Sequence, residues 1–147
     1  MSRLPRSVLF VCNLNRVRSP MAAGLTRRLY GDAILVESCG LEPSDGIDPM
    51  VVAAMQEVGV DLIDHQPKGF AEFSPAAFDL IVALSEEAWP PVEAAGAAGE
   101  AQAAHWPTED PTTGEGSREM RLEAYRVARR SLEAHIVDRF GPPPEWE

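Results

Sequence analysis

Lysine is nearly missing from this chain: Lys68 is the only one, and arginine carries the rest of the positive charge. We read that as a bias of composition rather than as mechanism. Cysteine is scarce too, with only Cys12 and Cys39. Two cysteines and three histidines, widely scattered, offer no spacing for a structural zinc site. No apolar run approaches the roughly 20 residues needed to span a bilayer. Arg3 and Arg6 precede an apolar stretch, but Val8 to Val11 is too short for the core of a signal peptide. The expectation is a cytoplasmic protein whose cysteines are thiols. An excess of positive charge is also lacking. The formal net charge of -10 argues against nucleic acid or an anionic membrane as partner.

What is present is an ordinary globular composition, 45% hydrophobic and 24% charged over 147 residues. That length builds one core without staples. We expect a single domain over residues 1–141 and a Pro-rich tail over 142–147.

Ser7 to Val11 is apolar without helical period and reads as a buried parallel strand. Ser19-Pro20 reads as an N-cap with proline at the first helical position, and Gly31 as that helix's stop. Ile34-Leu35-Val36 predicts a second strand, closed by Ser38-Cys39-Gly40. Asp48-Pro49 caps a second helix that runs toward Gly59. Asp79 to Leu84 predicts a third strand, with an alanine-rich helix from about Ser85. Ala94 to Ala104 reads as a helix end plus loop. A short fourth strand ends near Trp106. A last helix begins near Ser117, with Met120, Ala124, Val127, Ala128, Leu132 and Ile136 on one face. Strands alternating with helices imply an α/β open parallel sheet with helices on both faces.

In such sheets ligands bind at the carboxyl ends of the strands. The loop Cys12-Asn13-Leu14-Asn15-Arg16-Val17-Arg18 lies there, between a strand and a helix. Its backbone N–H groups form an anion nest at a helix N-terminus, surroundings that favour a thiolate. Arg18 can fold over the loop and offer its planar fork to two oxygens of a tetrahedral anion. Ser19 can donate its hydroxyl to the sulfur. A lone cysteine after a strand is usually a small buried residue, and Cys-x5-Arg alone is a weak pattern. The flanking strand and the Ser-Pro helix start are what give it weight.

The run Val8-Leu9-Phe10-Val11-Cys12-x-x-Asn15-x-x-Arg18-Ser19-Pro20-Met21-Ala22 resembles the opening of the low-molecular-weight protein tyrosine phosphatases. These share their fold and loop with the thioredoxin-coupled arsenate reductases. The resemblance extends over nearly the whole chain, through Ser38-Cys39-Gly40 and Asp110-Pro111 to the long final helix. It implies four parallel strands in the order 2-1-3-4 and two-step catalysis without metal or cofactor. It also implies roles: Cys12 as nucleophile, Arg18 and the loop amides as holders of the equatorial oxygens, Asp110 as acid and then base. Asn15 shapes the loop and Ser19 steadies the thiolate. Asn13, Leu14, Arg16 and Val17 complete the binding loop.

Asp48-Pro49 is the competing Asp-Pro pair, and its helical sequel makes Asp48 a cap. Asp110-Pro111 sits among Pro, Thr and Gly, where catalytic groups tend to lie, although a plain Asp-Pro turn is common.

Several residues depart from the phosphatase pattern. Leu14 replaces a glycine and would be strained if its φ had to be positive. Arg16 adds a charge that binds a second acidic group or faces solvent. Thr112-Thr113 stand where eukaryotic phosphatases place tyrosines, and His105-Trp106 is similar to the reductases. Trp89 and Trp106 are read as pocket walls or as core. No cysteine lies between Leu80 and Glu109, so a thioredoxin relay is implausible. Cys39 is a small buried residue or a disulfide partner of Cys12. His65 and Lys68 lie after the second helix at a distance the sequence leaves open. His135 reads as a surface or packing residue.

The expected activity is hydrolysis of phosphate monoesters, with a phosphotyrosine protein or small aryl phosphate as substrate. The alternatives are arsenate reduction with a low-molecular-weight thiol, and non-catalytic binding of an oxyanion or phosphopeptide. The sequence leaves the oligomeric state open.

Overall fold

The structure, a computed structural model, describes residues 4–144. Arg3 and the end of the Pro-rich tail lie outside the described residues. The first strand, β1 (Ser7–Cys12), is buried from Val8 onward, and it sits inside the sheet between β2 (Leu35–Gly40) and β3 (Leu80–Ala83). The fourth strand, β4 (Gln102–His105), lies beyond β3. All pairings are parallel, in the order β2-β1-β3-β4. A strand buried on both faces needs apolar side chains at every position, and that is why Val8-Leu9-Phe10-Val11 shows no alternation.

The side chains of β1 divide by parity. Val8, Phe10 and Cys12 join a core with helices α1 (Arg18–Tyr30), α2 (Pro49–Gln56) and α4 (Arg118–Phe140). Leu9 and Val11 face the other side, where Val92 and Ala95 of α3 (Trp89–Ala97) pack with Phe70, Phe73 and Phe78. Helices therefore cover both faces, as expected. No helix of the described residues is long and apolar enough to cross a membrane.

Several boundaries differ from the sequence reading. The first helix begins at Arg18, with Val17 as its cap residue and no side-chain cap, so Ser19 is not the N-cap. Its hydroxyl has other partners, described below. The second strand runs on through Ser38-Cys39-Gly40. Residues 102–104, expected as loop, belong to β4. The third helix starts at Trp89 rather than Ser85, since Ser85 instead accepts the Ala88 N–H at 3.2 Å in a preceding turn.

Asp48 caps α2 as anticipated, accepting the Met50 N–H at 2.7 Å, and Ser117 caps α4. The buried face of α4 is Leu122, Tyr125, Ala128, Leu132, Ile136 and Phe140, whereas Met120 and Val127 are 64% and 50% exposed. The aromatic members of that face set its rotation, because Tyr125 and Phe140 bury more surface than a methionine at the helix start. Trp106 is core: it lies 5.9 Å from Phe10 and stacks on His135 at 5.4 Å.

Candidate active site

The loop between β1 and α1 is shaped by what holds its carbonyls. Leu41, Glu42, Ser44 and Asp48 donate main-chain N–H groups to the carbonyls of Cys12, Asn13, Leu14 and Arg16, at 3.0, 2.8, 3.0 and 3.4 Å. The remaining carbonyl, that of Asn15, lies 3.0 Å from His65 Nε2. A carbonyl only accepts, so Nε2 carries the proton. Burial lowers the His65 pKa below its ordinary 6.5, the Asn15 contact pulls upward, and the charges of Lys68 and Arg27 push it down further. A planar trans peptide sets its N–H opposite its C=O, and no peptide bond here is cis. With the carbonyls of residues 12–16 drawn outward, the N–H groups of residues 13–17 turn inward. That is an anion nest made by backbone geometry.

Asn15 is the keystone of this loop. Its φ is 52°, the left-handed region that asparagine tolerates better than most residues. Its Nδ2 donates to Ser19 Oγ at 2.8 Å and to Ser38 Oγ at 3.0 Å, and its Oδ1 accepts the Lys68 N–H at 2.8 Å. Leu14, suspected of strain, does not have a positive φ and lies 44% exposed at the mouth. Asn13 is held from the side, where the Ser85 hydroxyl donates to its Oδ1 at 2.7 Å. Beneath the loop lies Gly40, and a Cβ there would meet Asn15 N at 2.5 Å. The end of β2 is bare so that the loop can rest on it.

Cys12 is 2% exposed, and its sulfur lies 2.9 Å from Ser19 Oγ. The Ser19 hydroxyl has one proton and two acceptors within reach, the sulfur and the Cys39 carbonyl at 3.1 Å. Opposite a thiolate it donates to sulfur. Opposite a thiol it receives the S–H and donates to the carbonyl.

Cys39 itself faces away. It pairs with Val11 in the sheet and packs with Leu9 and Val11, on the opposite face from Cys12. Burial pushes its pKa up strongly, with the charges of Cys12, Glu72 and Glu37 adding to the effect. A disulfide between the two would require one strand to turn over, so Cys39 is a small buried residue.

A cleft of about 370 Å³ opens over the loop. Cys12, Asn13, Leu14, Arg16, Val17 and Arg18 line its floor, while Asn15 and Ser19 lie buried beneath. Arg18 donates from Nη1 to the Thr108 carbonyl at 3.0 Å, which ties the guanidinium to the segment carrying Asp110. Asp110 and Thr112 form the facing wall. Asp110 Oδ1 accepts the Thr112 N–H at 2.9 Å and the Thr112 hydroxyl at 2.6 Å, and Pro111–Thr113 forms a short 3-10 turn. The carboxyl group is thereby fixed with its other oxygen uncommitted to these bonds. Neither Trp89 nor Trp106 lines the cleft.

Sequence reasoning missed part of the support. The residue pattern assigns no task to Gly40 or Ser38, and it leaves the position of Lys68 and His65 open. Nothing in the residue pattern announced that Tyr125 of α4 donates to Asp48 Oδ2 at 2.7 Å, both side chains buried.

The family model for low molecular weight phosphotyrosine protein phosphatase matches residues 7–136. The chain belongs to that family. It is 30% identical over 129 residues to the arsenate reductase of Halalkalibacterium halodurans, covering 88% of this chain and 91% of that one. It is 37% identical over 79 residues to the glutaredoxin arsenate reductase of a Synechocystis species. That match spans 54% of this chain and 60% of the relative, less than two thirds of its length. Among solved structures, an arsenate reductase in the phosphate binding state superposes with a TM-score of 0.72 at 28% identity, over 90% of this chain and 95% of that one.

Proposed function

We propose that this member of the low molecular weight phosphatase family hydrolyses phosphate monoesters through a phospho-cysteine, with protein phosphotyrosine or a small aryl phosphate as substrate. The observation that carries this reading is the content of the cleft: the thiol of Cys12 and the carboxyl group of Asp110 in one lining, with no second thiol there. Hydrolysis needs only water beyond those two.

In the first step the Cys12 thiolate attacks phosphorus. The P–S bond forms, the ester P–O bond breaks, and Asp110 gives its proton to the leaving oxygen. The inward N–H groups and Arg18 hold the three equatorial oxygens, where charge spreads in the transition state. In the second step the Asp110 carboxylate takes a proton from water, the water oxygen attacks phosphorus, and the P–S bond breaks. Inorganic phosphate leaves and the thiolate returns to its Ser19 contact.

The names of the relatives favour one other reading, reduction of arsenate. There Cys12 would form an As–S adduct, and an external low-molecular-weight thiol would attack it. Two thiols would end as a disulfide, and As(V) as As(III). With Cys39 on the far face, the second thiol has to come from outside the chain.

Steady-state hydrolysis of an aryl phosphate, wild type beside Cys12→Ser, separates the two. The expected result is turnover by the wild type and none by the variant, with phosphate still bound by both. Wild-type protein that leaves the ester intact yet consumes a small thiol in proportion to arsenate would replace the phosphatase reading with the reductase one.

A further inference from the structure

The charges around the cleft are unevenly spread, and the inference drawn from them rests on the phosphatase reading above. Arg16 and Arg18 belong to the loop, while Glu42, Glu87 and Asp110 supply the acids. Hydrogen bonds sort these into two sides. Glu42 donates its N–H to the Asn13 carbonyl, and Ser85, two residues before Glu87, donates to Asn13 Oδ1. Both glutamates therefore flank Asn13. Arg16 and Asp110 lie toward Tyr125, which feels the charge of each. Glu42 and Glu87 are exposed and, among the described residues, belong to no ion pair.

The Cys12 thiolate and a bound phosphoryl group together bring three negative charges to a loop that holds two arginines and a nest of inward N–H groups. Asp110 in its acid form brings none. No cation of the loop is then left over for Glu42 and Glu87, which line the mouth beside the organic part of the substrate. Leu14 and Leu41 give that part a short apolar wall, and no aromatic ring among the described residues lines the cleft. We propose that the preferred substrates are phosphate monoesters whose organic group carries a positive charge, ammonium or guanidinium, received by Glu42 and Glu87 on the Asn13 side of the mouth. An anionic organic group meets the same carboxylates and is turned away.

The test uses three aryl phosphates with matched phenol acidity, bearing a cationic, a neutral and an anionic side group. For the wild type, kcat/KM ranks cationic above neutral above anionic. An exposed charge contact is worth up to about fivefold, so two of them set a ratio of up to about 25-fold between the cationic and the neutral ester, and a larger one between the extremes. That ratio shrinks with added salt, because exposed charges are screened. In the double variant Glu42→Gln with Glu87→Gln it falls toward unity. Hydrolysis of all three esters at equal kcat/KM overturns the specificity and leaves the phosphatase reading standing. So does a ratio that survives the double substitution. Hydrolysis of none, with the fold intact by circular dichroism, overturns both together.

Discussion

Replacing Gly40 by alanine should damage the anion loop more than it damages the fold. The added Cβ would sit 2.5 Å from Asn15 N, 2.7 Å from the Leu14 carbonyl carbon and 2.8 Å from Asn13 O. All three are main-chain atoms, so no side chain can swing aside. To restore 3.0 to 3.4 Å at Asn15, loop and strand must part by 0.5 to 0.9 Å. Overpacking of this kind costs about 1–3 kcal/mol of stability. The catalytic cost is steeper, since a displacement of ~1 Å in a positioned group is worth about a hundredfold. We expect kcat/KM on an aryl phosphate to fall by about ten- to a hundredfold, with phosphate affinity falling alongside. Urea unfolding measures the stability change, and calorimetric titration the phosphate affinity. Gly46→Ala is the control, because a Cβ there meets nothing within 4 Å. If Gly40→Ala keeps turnover and phosphate affinity within about twofold of wild type, loop position does not set activity and the reasoning fails.

Other substitutions probe other parts of the site. Asp110→Asn should slow hydrolysis by about 10²- to 10⁴-fold for esters with poor leaving groups and much less for good ones. Equal slowing across leaving groups would remove Asp110 from the acid role. His65→Ala leaves the Asn15 carbonyl without its donor and should cost about 1–3 kcal/mol in denaturant unfolding. Because the folded His65 resists a proton that the unfolded chain accepts, wild-type stability should fall as pH drops below 6.5. His65→Ala should lack that component, and an unchanged acid limb would refute it. Tyr125→Phe takes a donor from buried Asp48, again for about 1–3 kcal/mol. Burial first, and then Asp48, hold the Tyr125 proton in the fold, so wild-type stability should decline above pH 10.0, where the unfolded tyrosine ionises. The variant should decline less steeply over that range, with Cys39 and Tyr30, both also raised by burial, supplying the remainder.

Short-range chemistry made much of the fold legible. The unbroken apolar run of β1, the Asp48 cap and the start of the last helix near Ser117 match the sequence reading, and the sheet order matches what the family resemblance implies. Cys12 ends the first strand, and the cleft lining brings it together with Asp110, a placement the sequence leaves open. Misreadings arose where one residue had two possible uses. Ser19 looks like a cap, but its hydroxyl is spent on Cys12, Asn15 and the Cys39 carbonyl. Met120 and Val127 fit a helical period, yet the bulk of Tyr125 and Phe140 fixes which way α4 faces. The clamp on the loop carbonyls was invisible for a different reason. Its donors are mostly main-chain N–H groups, which every residue but proline possesses.

That last point bears on how such a site can diversify. Residues 41–48 fix the loop between β1 and α1 through atoms that mutation cannot remove, except by introducing proline at Leu41, Glu42, Ser44 or Asp48. The proline already in the segment, Pro43, stands between two of those donors, at a position from which the loop takes no hydrogen bond. Side chains at Leu41 and Glu42 can therefore change the mouth while the nest behind them keeps its shape. The shape of the nest and the chemistry of its mouth are written in different atoms of the same short stretch of chain.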